Sequence, residues 1–483
     1  MLVLGTQAQK KAADPKTYAT TISADDLKKH LYIVASKEME GRETATEGQR
    51  KAAAYIENQF REKGLLPGNN GSYQMQFPIY QDTMTGASLV INNKTWQVDQ
   101  DFSANVNNNH PFSLMAGEVI FAGNGIVDSA RNPYKNLSAA GKIVMVLPGT
   151  GGNQFGAADA AQRNGAAVLL VVQSNFPRRP AAKGQQYFSV YRRSNPINTF
   201  FISEKVAEAI MGSDWANAKT AAPKAYNAEI SISYSEASVK AESSNVLGVL
   251  EGTDKKDEYV FITAHYDHLG KRGDSVIYYG ADDDGSGTVS LIELAEAFSK
   301  AKAAGRGPRR SIVFMAVSGE EKGLWGSAYY ADHPIFPLEK TTVDLNIDMI
   351  GRIDPTRKQG DSMNYVYVVG DDKLSTDLRP ISEAMNNKYT RLELDYKFND
   401  PNDRQRIYFR SDHYNFARKG VPIIFYFNGT HADYHRPTDT PDKINYSLFA
   451  KRAQLVFYTA WDMANREDML KRDLKLEVPQ RGF

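Results

Sequence analysis

Residues 259–287, YVFITAHYDHLGKRGDSVIYYGADDDGSG, decide how the chain is read. Tyr259, Val260, Phe261 and Ile262 make a short run rich in aromatic and β-branched side chains, the mark of a buried strand. It breaks off at His265, Asp267 and His268. After a polar loop come Asp282, Asp283 and Asp284, then Gly285-Ser286-Gly287 and a helix-spaced apolar series, Val289, Leu291, Ile292, Leu294, Ala295 and Phe298, which stops at Gly305. Adjacent carboxylates repel one another, so beside a strand-tip imidazole they call for a neutralising cation. An Asp-rich cap before a solvated turn is the bland alternative, and these letters alone leave it open.

From Asn245 to the C-terminus the same alternation continues. The strands read NVLGVLEG (245–252), EYVFITA (258–264), RSIVFMAV (310–317), VDLNIDM (343–349), YVYVVG (365–370) and VPIIFYF (421–427), with helices expected over 287–304, 323–332, 374–388, 411–419 and 446–465. This order is that of an α/β fold with a doubly wound, mixed but mainly parallel sheet and helices on both faces. Sites in such sheets lie beyond the carboxyl ends of the strands. Those positions hold His265 with Asp267, then Glu320-Glu321, then Asp348 in LNIDM, then His431, Asp433 and His435. A carboxylate inside LNIDMI is costly to bury without a partner, which favours a ligand role for Asp348.

Composition narrows the chemistry. The 483 residues contain no cysteine, so disulfides, thiolate nucleophiles and Cys-ligated zinc are excluded, and His and carboxylate are the only strong ligands left. That donor set suits zinc or another borderline divalent ion. The excess of carboxylates over one tetrahedron suggests two ions sharing a bridge. The 58 basic residues against 57 acidic ones leave a net charge of +1, so no global field attracts nucleic acid or anionic membrane. The opening residues, MLVLGTQAQKK, are too short an apolar run to span a bilayer. They look like the end of a secretory signal with Thr6-Gln7-Ala8 as cleavage site, and the absence of Cys is compatible with a secreted or periplasmic protein; a disordered cytosolic N-terminus is the alternative these residues leave open. Nothing in the sequence indicates an oligomer or excludes one.

Towards the N-terminus, Ser23 caps a helix expected to reach Val34, and a second helix runs from Thr46 to Gly64. From residue 73 the pattern changes to short strands between Asn/Gly turns: YQMQFPIY, ASLVINN, TWQVDQDF, GEVIFAG (117–123), KIVMVLP (142–148) and AAVLLVVQS (166–174), with a helix near 157–165. The division that follows is a leader remnant or disordered N-terminus (1–21), a main domain built from 22–83 and 239–470, a smaller β-rich α/β insertion (84–238) and a C-terminal tail (471–483).

HYDH, GADDDGSG, SGEEKGLWGS, NIDM and DYHRPTDT, in that order over about 240–446, resemble the secreted co-catalytic di-zinc aminopeptidase family. That family also holds the glutamate carboxypeptidases, glutaminyl cyclase and the metal-free transferrin receptor. The resemblance implies two zinc ions, or other divalent ions, on His265, Asp283, Glu321, Asp348 and His435, with Asp283 bridging. It implies Glu320 as general base, Asp267 orienting His265, a cis peptide at Asp283–Asp284, and a protease-associated domain over 84–238 serving as lid, filter or dimer contact.

The activity it implies is that of an exported aminopeptidase acting on peptides, with a carboxypeptidase or dipeptidase as the alternative and a glutaminyl cyclase or non-catalytic receptor more remote. Tyr408, Arg410, Tyr426 and His413 are the substrate-binding candidates, with Phe409, Phe427 and Trp325 as apolar neighbours. Arg410 and Arg436 are the groups that would meet a substrate carboxylate. His268 and His431 read as rim residues rather than ligands, and His30, His110 and His333 as structural or exposed. Asp433 or Asp439 is the expected partner of His435, with Asp439 alternatively pinning a loop.

Overall fold

The computed structural model describes residues 14–128, 131–148, 154–178, 187–189, 197–273 and 275–476. The chain divides into two compact units, Met1–Phe77 with Glu242–Phe483, and Pro78–Ala241.

In the first unit the strand order is Glu393–Asp395, Tyr365–Val369, Ile423–Phe427, Thr341–Ile347, Lys255–His265, Arg310–Val317 and the final stretch of Lys224–Leu250. Lys255–His265 runs parallel to both Arg310–Val317 and Thr341–Ile347, and the latter runs parallel to Ile423–Phe427. Antiparallel pairs lie towards the sides, at Tyr365–Val369 against Ile423–Phe427, at Val246–Leu250 against Arg310–Val317 and at Leu66–Pro67 against Gly248–Val249. The sheet is mixed and mainly parallel, as the alternation of strands and helices required. Its central strands are buried on both faces, which is why they read as unbroken apolar runs.

Helices cover each face. Gly287–Ala303 and Tyr446–Asn465 bury Val289, Leu291, Leu294, Phe298, Phe449 and Phe457 against one face, while Trp325–Asp332 and His413–Ala417 pack with Phe261, Tyr330 and Phe416 on the other. Ser23 caps Ala24–Val34 as expected, its hydroxyl accepting from the Asp26 amide at 3.1 Å, an arrangement of about 1 kcal/mol.

In the second unit Phe112–Phe121, Ile143–Val146, Val168–Gln173 and Asn198–Ser203 form a parallel run, and Phe102–Ala104 pairs antiparallel with the last of them. Helices Gln154–Arg163 and Glu204–Met211 accompany it.

Three local expectations differ from what is observed. YQMQFPIY and ASLVINN, read as separate strands, belong to one strand, Gln74–Ile91; the polar TMTG between them keeps extended geometry instead of turning. The leader-like residues 1–13 lie outside the described residues, but Lys16–Ala19, also assigned to a leader or disordered end, is a helical turn with Ala19 fully buried. The tail beginning at 471 is docked at its start, where Arg472 donates to the carbonyls of Leu338 and Thr341 at 2.6 and 2.7 Å.

Candidate active site

The register of the parallel strands brings the strand-tip residues together. His265 closes its strand opposite Val317, three residues before Glu320, and Ile347, one residue before Asp348, lies opposite Tyr426. His265 Nε2 is 3.4 Å from Asp283 Oδ1, 3.7 Å from Asp348 Oδ1 and 3.9 Å from Glu320 Oε2. Beside it, His435 Nε2 is 3.1 Å from Asp283 Oδ2 and 3.2 Å from Glu321 Oε2. Asp283 therefore faces both groups, one carboxylate oxygen to each.

Only the middle residue of the triplet is spent this way. Asp282 accepts from the Gly351 amide at 2.7 Å and lies 3.1 Å from His431 Nε2, and Asp284 accepts from the amides of Gly287 and Met349 at 2.8 and 3.0 Å. Asp439 accepts from the amides of Asp282 and Asp283 at 3.0 and 3.2 Å, so it pins the triplet's backbone, the loop-pinning role. The Asp283–Asp284 peptide is cis. Just ahead of the triplet, Gly280 has φ +54 and sits so close to Asp283 and His268 that a Cβ there would collide with the Asp283 carbonyl and the His268 ring.

Two groups of donors are spaced to hold a metal ion: His265 with Glu320 and Asp348, and His268 with Asp283 and Glu321. The donors are imidazole nitrogen and carboxylate oxygen, the set that suits zinc-like ions. His265 Nε2, His268 Nδ1, Asp283 Oδ2 and Glu321 Oε1 are buried, and the contacts they make are ion pairs among the ligand-type groups themselves. Residues and chemistry fit a pair of divalent cations.

The titration of the acids tells the same story. Burial drives Glu320 well above the ordinary carboxyl range, reinforced by Glu321 and Asp348 and opposed by His265. Burial also raises Asp284, with Asp348 adding to it. Asp283 is held well below the range because hydrogen bonds from His265 and His435 outweigh its burial. Burial pulls against His435, yet bonds to Asp283 and Glu321 bring it up to about 10.

Residues 245–460 match the family model described as Peptidase family M28. That match takes in just under half of the chain. Among curated relatives, a probable zinc metalloprotease of Pyricularia oryzae is 29% identical over 272 residues, covering 48% of this chain and 52% of the relative. A probable leucine aminopeptidase of Trichophyton verrucosum is 27% identical over 216 residues, covering 44% of this chain and 55% of the relative. The chain thus spans about half the length of these curated relatives. Among solved structures, an aminopeptidase from Aneurinibacillus sp. strain AM-1 superposes with a TM-score of 0.57 at 18% identity, covering 97% of this chain and all of that one. BSAP, a zinc aminopeptidase from Bacillus subtilis, gives 0.51 at 19% identity, covering 94% of this chain and 99% of that one. Both likenesses concern the fold.

Within the M28 segment several expectations need correction. His268 is no rim residue: it is fully buried, with Nδ1 2.8 Å from Glu321 Oε1 and 3.8 Å from Asp283 Oδ2. It follows the strand end by three residues, in a stretch where no alternation indicates which way a side chain points. His431 is also buried, against Asp282. Asp267 orients His265 through its backbone carbonyl, 3.1 Å from Nδ1, whereas its carboxylate accepts from the Glu320 amide at 3.2 Å and from the Thr44 hydroxyl at 2.7 Å. Asp433 is engaged by Arg352 and Lys443.

Of the substrate candidates, Arg410 lines the cavity over the metal-capable groups together with Met349, Ile407, Phe427 and Tyr434, and donates to the Tyr434 hydroxyl at 3.0 Å. The other three do not. Tyr426 is one residue out of phase with Phe425 and Phe427, so the strand's two-residue alternation sends it to the opposite face, beside Thr459 and Ser382. Tyr408 is buried and faces a separate cavity of about 690 Å³ bounded by Phe398, Asn399 and Leu476. His413 is fully buried, its ring stacked on Phe425 and its Nε2 donating to the Tyr408 carbonyl at 2.7 Å; burial lowers its pKa to about 3. Tyr434, which the sequence reading passed over, sits directly before His435 and stacks on it at 3.8 Å.

Among the described residues no helix is long and apolar enough to cross a membrane.

Proposed function

We propose that the chain is a metallo-exopeptidase, an aminopeptidase that removes N-terminal residues from peptides. The observation that carries this reading is the convergence of His265, Glu320 and Asp348 with His268, Asp283 and Glu321 in one largely buried cluster whose ligand-type atoms face one another. The two ions, zinc by preference, are assigned to His265, Asp283, Glu321, Asp348 and His435, with His268 as a further donor to the Glu321 side.

Such ions lower the pKa of water and polarise a carbonyl. The chain's own residues do the rest. Glu320, whose burial already raises its affinity for a proton, takes the proton from water on its carboxylate and passes it to the departing amine. Asp267 fixes the Glu320 backbone. Met349, Ile407, Phe425 and Phe427 offer the substrate side chain an apolar wall, while Arg410 and the Tyr434 hydroxyl supply the polar one. Export to a secreted or periplasmic location, and a protease-associated role for the Pro78–Ala241 unit, belong to the same reading and rest on the leader-like N-terminus and the motif resemblance.

The test is hydrolysis of leucine amide, N-acetyl-leucine amide and an N-blocked peptide with a free C-terminus, each with and without a chelator. Cleavage confined to the free amino compound and abolished by chelation is expected. Cleavage of the N-blocked peptide alone makes the protein a carboxypeptidase, and hydrolysis that persists without metal sinks the reading.

A further inference from the structure

The metal-capable cluster is closed by a segment of chain that the M28 match does not include. Lys37–Arg42 and the residues up to Ala45 carry three non-glycine residues in the left-handed region, Glu40 (φ 52), Arg42 (φ 53) and Ala45 (φ 63), with Gly41 at φ 69 between the first two. Each such residue costs about 1–3 kcal/mol and persists only where its surroundings enforce it. Here the enforcement is visible. A Cβ on Gly41 would strike the carbonyls of Gly270 and Tyr278, and the Gly41 carbonyl accepts from the Gly270 amide at 3.0 Å.

Arg42 is fully buried, and among the described residues no carboxylate forms an ion pair with it. Its Nε donates to the Tyr266 carbonyl at 2.7 Å, Nη1 to the carbonyls of Val34 and Tyr279 at 2.9 and 2.7 Å, and Nη2 to the Gly280 carbonyl at 2.9 Å. Tyr266 lies between His265 and Asp267. Gly280 immediately precedes the triplet. One planar guanidinium thus spans the two loops that carry the imidazoles and Asp283. Its charge faces Asp267, Asp283, Asp284 and Asp439. The neighbouring residues extend the grip: Thr44 donates to Asp267, the Arg42 carbonyl accepts from the His268 amide at 3.3 Å, and Glu43 pairs with Lys322, the residue after Glu321, at 2.7 Å.

We infer that Arg42 is a positioning residue that fixes the separation of His265 and His268 from Asp283 and so sets the affinity of the cluster for its divalent ions, with Thr44 as its junior partner. The inference rests on the two-ion reading of the site. A lysine keeps the charge but offers a single ammonium that cannot bridge both loops and the Val34 carbonyl, so charge and fork are separable by substitution. Groups that orient metal ligands typically contribute 10- to 100-fold to affinity.

The test uses the full chain, wild type, Arg42→Lys and Thr44→Val, with zinc affinity measured by competition against a chromophoric chelator and the melting of the metal-free proteins followed by circular dichroism. Arg42→Lys is expected to melt cooperatively and bind zinc at least about 10-fold more weakly, with hydrolysis restored by excess zinc. Thr44→Val is expected to weaken binding a few-fold. Zinc affinity within twofold of wild type in Arg42→Lys, whatever its melting temperature, overturns the proposal. If that variant does not fold, an unchanged affinity in Thr44→Val overturns it. Wild-type protein that binds no zinc at all overturns the two-ion reading itself.

Discussion

The carboxylate of Asp267 accepts a hydrogen bond from the backbone amide of Glu320 at 3.2 Å, so a residue two positions past the first strand tip holds the proposed proton carrier beyond the second. His265 Nδ1 is 3.1 Å from the Asp267 carbonyl and 3.8 Å from its Oδ1, so the carbonyl is the nearer hold. Truncation to Asp267→Ala is therefore expected to lower kcat for leucine amide by about 10²-fold while zinc stays bound, and Asp267→Asn, whose amide oxygen still accepts from Glu320 and whose amide nitrogen can donate to Thr44, to lose no more than about 10-fold. Equal losses in both variants refute the positioning argument.

Glu320→Gln removes the proton acceptor while keeping its shape. A fall in kcat of about 10²- to 10⁴-fold is expected, with zinc stoichiometry by atomic emission unchanged. Loss of metal instead would reassign Glu320 as a ligand, the role its grouping with His265 and Asp348 also permits.

His413 gives a dependence on pH that concerns stability alone. Burial lowers its pKa from 6.5 to about 3 in the folded protein, so between those values the unfolded chain binds a proton that the folded one does not. Its contribution is fully present above pH 6.5 and is lost as the pH falls towards 3, by roughly 3 kcal/mol at pH 4 at about 1.4 kcal/mol per unit. His413→Phe forfeits the bond to the Tyr408 carbonyl, about 1 kcal/mol at pH 7. Urea unfolding should show that deficit shrinking or reversing at pH 4; a deficit that stays constant or grows means His413 is charged in the fold.

Arg410 and Tyr426 lie 16 positions apart but on opposite faces of the sheet as far as the cavity is concerned. Arg410→Gln should change kcat/KM for leucine amide by about 10-fold or more, since it removes a charged donor to Tyr434 at the cavity wall. Tyr426→Phe should leave it within about twofold. A large effect at Tyr426 would mean that its face of the sheet communicates with the site.

Much of this was readable before any coordinates. The strand ends at His265, Val317, Ile347 and Phe427 follow from apolar runs that stop at polar residues, and a mainly parallel sheet gathers whatever comes next onto one rim. Tyr426 was readable too, because the alternation within IIFYF sets it against its neighbours. Other residues gave no such signal. Buriedness of His268 depends on Gly280 and on Glu321 from another loop, neither near it in sequence. Arg42 bonds only backbone carbonyls, and an acceptor present in every residue leaves no trace in the letters. The strand Gln74–Ile91 reads as two in the sequence because Thr and Gly serve strands and turns alike.

Arg42 stands more than two hundred positions upstream of the carbonyls it grips at Tyr266 and Gly280. A fragment trimmed to 245–460 would thus retain every ligand proposed for the ions while leaving two loops without their common tether. Excised as a minimal catalyst, that fragment would keep the donors and lose the guanidinium that joins their backbones.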